Sequence, residues 1–143
     1  MKGKLPVFAL LVAGLLIFGC AYSSSPQSEM SGGKELRDFN GTKILVEIAD
    51  TPEKVKQGLM GREDLCDECG MLFVYAQDVE DVYWMKNMKM RIDIVFLDEN
   101  YTPVKIFENV PICEKDPCPA YSAGKPYRYV LEVKAGKAKG IFG

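Results

Sequence analysis

The six residues Ile92–Leu97 are apolar at every position but one. Alternate side chains of a strand point to opposite sides of its sheet, so such a strand has no face to give to water and must be covered on both. The neighbouring segments show what surrounds it. Residues 43–49 alternate, with Ile44, Val46 and Ile48 on one face and Lys43, Leu45 and Glu47 on the other, as in a half-buried strand. Asp50 ends that strand, and Thr51 with Pro52 supplies the N-cap and first-turn proline of a short helix on which Val55 and Leu59 stack. Residues 71–75 and 82–86 read as short strands separated by Asp78, Glu80 and Asp81. Asp98-Glu99-Asn100 is a turn into a strand over residues 102–110. The last strand, Tyr127–Lys134, is expected to point Tyr127, Tyr129, Leu131 and Val133 inward and Arg128, Glu132 and Lys134 outward, with Val130 as the exception. Six strands against one helix predict a mainly β domain, a compact antiparallel β-sandwich or barrel with one or two short helices.

The N-terminus carries an address. Lys2 and Lys4 precede fifteen uncharged residues, 5–19, which end at Ile17-Phe18-Gly19-Cys20. A membrane-spanning helix needs about 20 apolar residues, so this run is short for a span and typical of a removable export segment. Ile17, Gly19 and Cys20 fit a lipobox, in which the cysteine receives a lipid and becomes the mature N-terminus. The alternative is an uncleaved helical anchor over residues 5–22, with the two lysines held inside. The lipoprotein reading is preferred because Cys20 sits where the apolar run stops. Either way the rest of the chain is expected outside the cytoplasm, held at the membrane. The expected division is a signal peptide over residues 1–19, a flexible Ser/Gly/Pro linker over 20–38 and a β domain over 39–143.

Composition narrows the function. The 143 residues carry a formal charge of −2, which supplies no positive field for a nucleic-acid backbone. Histidine is absent, which removes imidazole metal ligands and every Ser-His or Cys-His nucleophile pair. With Cys20 set aside, four cysteines remain: Cys66, Cys69, Cys113 and Cys118. In an exported domain an even number favours two disulfides, of which near-neighbour pairing is one of three connectivities. Structural zinc and a redox pair at Cys66-Asp67-Glu68-Cys69 are the competing readings. Two carboxylates between the sulfurs weigh against the redox pair.

Five ordered motifs carry a family resemblance. They are Gln57-Gly58-Leu59-Met60 with Arg62, Gly70-Met71-Leu72-Phe73, Trp84-Met85-Lys86-Asn87, Ile92-Asp93-Ile94-Val95-Phe96-Leu97-Asp98 and Arg128-Tyr129-Val130-Leu131-Glu132. Together with the segment from Cys113 to Cys118 they resemble domain-of-unknown-function family 192 (DUF192). The resemblance implies a small, mainly β domain, often exported, and no assigned activity. It also implies that the Cys66 and Cys69 pair is a local addition.

Arg62, Trp84, Lys86, Asn87, Asp93 and Arg128 are the polar or amphipathic members of these motifs and the candidate ligand-binding residues. Lys86 and Asp93 interrupt apolar strands, so each must be paired, solvated in a cleft or shifted in pKa. An ion pair of Asp93 with Lys86 or Arg62 would be structural. A shallow pocket with Trp84 as platform would suit a sugar or a small anion. For Trp84 alone the preferred expectation is the main aromatic of the core. A binding or interaction module without a cofactor is therefore the first reading. A hydrolase or lyase using Lys86 and Asp93 is the second, and Cu(I) held by Met85, Met88 and Met90 the third.

Overall fold

In the computed structural model, which describes residues 33–143, the elements in chain order are β1 (Lys34–Phe39), β2 (Thr42–Ala49), α1 (Pro52–Gln57), β3 (Cys69–Val79), β4 (Tyr83–Trp84), β5 (Ile92–Leu97), β6 (Pro103–Val110), β7 (Ala120–Tyr121), β8 (Tyr127–Lys134) and α2 (Ala138–Phe142). The apolar strand is β5, and all six of its side chains are buried. It lies inside a six-stranded sheet of order β1-β2-β3-β8-β5-β6, beside a small β4-β7 sheet. The expected mainly β fold with two short helices is present. The sheet is mixed: β2 and β3 run parallel, while its other neighbouring pairs are antiparallel. A parallel pair cannot be joined by a tight hairpin, and here the crossover is supplied by α1 and the loop that follows it.

Both faces of the sheet are covered. On one, Val46, Leu72, Val95, Leu131 and Val133 pack with Ala138 and Ile141 of α2. Phe39 at the end of β1 meets Tyr101 in the β5–β6 turn edge to face, with centroids 5.6 Å apart. Opposite edges of the sheet therefore curl towards each other over this core, and α2 plugs the space between them. On the other face, Phe73, Ile94, Phe96 and Val130 lie under Leu59, Tyr83, Met85 and Met88, which come from the α1–β3 loop and the β4 region.

Several sequence expectations shift. Residues 34–38, placed in the expected linker, form β1 together with Phe39 and pair with β2. Residues 71–75 are the middle of a longer strand, only Tyr83 and Trp84 of residues 82–86 are strand, and β7 and α2 were unexpected. The export segment, the lipobox and Cys20 lie outside the described residues. The cysteines pair as near neighbours, Cys66 with Cys69 and Cys113 with Cys118, so their sulfurs form no four-thiolate zinc site.

Asp93 corrects the expected ion pair. It is wholly buried and meets neither Lys86 nor Arg62. Its Oδ1 accepts the N–H groups of Asn109 at 2.7 Å and Gly136 at 3.0 Å, and its Oδ2 that of Ala138 at 2.8 Å. One carboxylate thus ties β5 to the end of β6 and to the start of α2. Gly136 has φ +84°, a conformation that favours glycine and turns its N–H towards the carboxylate. Asp93→Ala leaves the buried Ala138 N–H and two part-buried N–H groups without this acceptor and is expected to cost about 2–3 kcal/mol, with Asp93→Asn costing less. Urea unfolding checks this, and an unchanged midpoint for Asp93→Ala would contradict the assigned role.

Candidate functional site

The covering of the second sheet face is incomplete, and a cavity of about 310 Å³ remains between α1 and β4. Thr51 caps α1 by accepting the Lys54 N–H, and Pro52 starts it. The helix stops at Gly58, whose φ of +47° suits glycine, and a Cβ there would already touch the Phe73 ring at 3.4 Å. Chain reversal at Gly58 brings Leu59 and Met60 to one wall. Tyr83 and Trp84 of β4 form the opposite wall, and Phe73 and Tyr75 of β3 line the space between them. The Tyr75 and Tyr83 hydroxyls share a hydrogen bond of 2.8 Å. Phe73 and Tyr83 pack edge to face at 5.2 Å.

Glu132 enters this cavity from β8. Its cross-strand neighbours are Met71 on β3 and Ile94 on β5, both apolar and both directed to the same face. Only 6% of Glu132 is exposed, and its Oε2 has no hydrogen-bond partner. Burial alone pushes its carboxyl up to about 8, so at neutral pH it is mainly the uncharged acid. Asp81 also lines the cavity, and both carboxyls help hold the Tyr75 hydroxyl above its ordinary range, after burial as the larger cause. Burial likewise pushes the Tyr83 hydroxyl far up, and it stays protonated.

Of the six residues singled out in the sequence, Trp84 alone lines this cavity. It is 54% exposed, so it is not the main aromatic of the core; Tyr127, Phe39, Phe73 and Phe96 fill that role. Trp84 and Val82, itself 56% exposed, form an apolar rim. Arg62 makes a two-pronged pair with Glu47 at 2.7 and 2.6 Å. Lys86 pairs with Asp116 at 3.2 Å, and Arg128 with Asp78 at 2.8 Å. Asn87 is a turn residue with φ +58° whose carbonyl accepts the Gly61 N–H. The grouping of Lys86 with Asp93 as acid and base is not formed. Met85 and Met88 are buried in the apolar core, and Met90 packs against it, so the three thioethers serve packing rather than an exposed Cu(I) site.

Glu132 was expected to face solvent. The signal against that expectation was Val130, an apolar residue on the supposedly wet side of the same strand. A strand apolar on both parities is covered on both faces, and a carboxyl within it is then buried.

The DUF192 family model, described as Uncharacterized ACR, matches residues 35–141. A protein of Sinorhizobium meliloti 1021, provisionally described as a transcription regulator, is 32% identical with a TM-score of 0.63, over 68% of this chain and 74% of its own. A protein of unknown function from Novosphingobium aromaticivorans DSM 12444 is 28% identical with a TM-score of 0.63, over 69% of each chain. Curated proteins give no match.

The raised Glu132 pKa makes stability depend on pH. The folded state holds this proton more tightly than the unfolded chain, so its contribution is full below pH 4.5 and falls as pH rises towards about 8. The slope contributed by this one group is about 1.4 kcal/mol per pH unit within that window. Glu132→Gln is expected to remove the slope and to be more stable than the natural chain at pH 8. Denaturant unfolding from pH 4 to 9 checks this, and parallel profiles for the two proteins would contradict it.

Proposed function

Because the chain belongs to the DUF192 family, which brings no activity with it, we propose its function from the cavity: a small-molecule binding domain tethered outside the cytoplasm. The observation that carries this reading is the Glu132 carboxyl, buried yet without a partner for Oε2, at an apolar cavity with an exposed tryptophan on its rim. Native interiors satisfy their buried polar atoms, and one that the protein leaves open beside a cavity is placed to be met from within that cavity. The walls favour a compact molecule with an apolar face for Trp84 and one polar substituent for Glu132. A sugar ring meets that description. A small anion fits less well, since Asp81 lines the space and Lys56, the one basic residue in the lining, is exposed to solvent.

The tether rests on Lys2, Lys4, the uncharged run and Cys20. Two disulfides in the folded domain agree with an oxidising compartment. The transcription-regulator description of the Sinorhizobium relative belongs to that protein. Here the formal charge of −2 gives nothing to hold DNA.

Melting curves of the full chain against monosaccharides and small amphipathic alcohols and amines test the binding reading. At least one compound is expected to raise the melting temperature, and Trp84→Ala is expected to abolish that rise while costing the free protein no more than about 1 kcal/mol. A flat response across the set contradicts it. For the tether, Cys20→Ser is expected to change gel mobility and release the chain from the membrane fraction; no change in either contradicts lipidation.

A further inference from the structure

We propose that the ligand of the Glu132 cavity carries a protonated amine, which becomes the missing partner of Oε2. This inference rests on the binding reading above and names the ligand's chemistry.

Several other carboxyls of this chain have partners within the protein. Asp93, equally deep, accepts three backbone N–H groups. Glu47 has Arg62 and Lys34, Asp78 has Arg128, and Asp67 has Lys134 and Lys137. Glu132 is buried, lines a cavity and leaves Oε2 with neither a donor nor a cation. An ammonium group supplies both at once, through N–H donors and through charge.

The cavity walls suit a cation and disfavour an anion. Phe73, Tyr75, Tyr83 and Trp84 present aromatic rings, whose faces attract positive charge. Asp81 adds a second carboxyl. The charged and titratable groups that line the cavity with Glu132 are Tyr75 from β3, Tyr83 from β4, Asp81 from the loop between them and Lys56 from α1. Both tyrosines stay protonated at neutral pH, since burial raises their pKa. The Lys56 side chain is exposed at the outer rim. From β5 the neighbour is Ile94, which carries no charge.

Proton balance gives the inference its signature. The free carboxyl is protonated, and the bound ammonium needs the carboxylate. Binding below the folded pKa therefore expels the Glu132 proton to buffer as the N–H···O contact forms. Amine affinity should rise by up to about tenfold per pH unit between pH 6 and 8, as the carboxylate fraction rises. A neutral ligand of the same shape shows neither effect.

Isothermal titration calorimetry of the full chain tests this with matched pairs: benzylamine against benzyl alcohol, and glucosamine against glucose. Titrations in buffers of different ionisation enthalpy count the protons released. At pH 6.5 the amine is expected to bind at least tenfold more tightly than its alcohol partner, with close to one proton released. Glu132→Gln is expected to abolish both the preference and the release. If the alcohol partners bind as well as the amines, or amines bind without proton release, the amine assignment is overturned and the binding reading stands. If no member of either pair binds, both are overturned.

Discussion

A sheet covered on both faces is the constraint on which the rest of this structure depends. Strands β5 and β8 run side by side within it, and neither β5 nor the stretch Val130–Val133 of β8 has a wet side. A polar group in those stretches is carried inside, whichever way it points. The chain places one carboxyl on each face. Asp93 points into the curled core plugged by α2, where three N–H groups meet it; Glu132 points to the other face, where Met71 and Ile94 flank it.

The two residues show what burial does to a charge under opposite circumstances. Fixed donors aimed at a carboxylate repay its lost hydration, and Asp93 becomes a knot holding three segments together. With no donor at Oε2, Glu132 keeps its proton, and the fold bears a cost that grows with pH. Gly70 shows how tightly the sheet is drawn around it: a Cβ there would lie 2.9 Å from the Glu132 carbonyl oxygen. A polar group retained at a cost to folding is an expected mark of function, since stability alone would favour an apolar residue at that position.

Much of this fold was legible in the sequence. The Thr51-Pro52 helix start, the turn after Leu97 and the long strands follow from spacing and turn chemistry, because those signals are local. The β1 strand was hidden because Leu36 is the only large apolar residue among its first five positions; its side chains are exposed up to Phe39, and pairing with β2 holds it in place. Helix α2 was hidden because five residues make too short a period to read, and a distant carboxylate caps it. The site was less legible. Lys86, Arg62 and Arg128 attract notice as charges within motifs, yet each finds a partner near the surface, whereas Glu132 looks ordinary under the strict alternation that Val130 in the same strand breaks. Trp84 is legible as a candidate, but only its exposure beside the cavity between α1 and β4 distinguishes a rim from a core.

The central claim is that Glu132 is an uncharged acid at a ligand cavity, and its titration by carbon-detected NMR of the side-chain carboxyl tests that most directly. The account predicts a midpoint near 8 in the free protein, shifted down when an amine is bound. A midpoint at the ordinary value of 4.5 in the free, folded chain would contradict it.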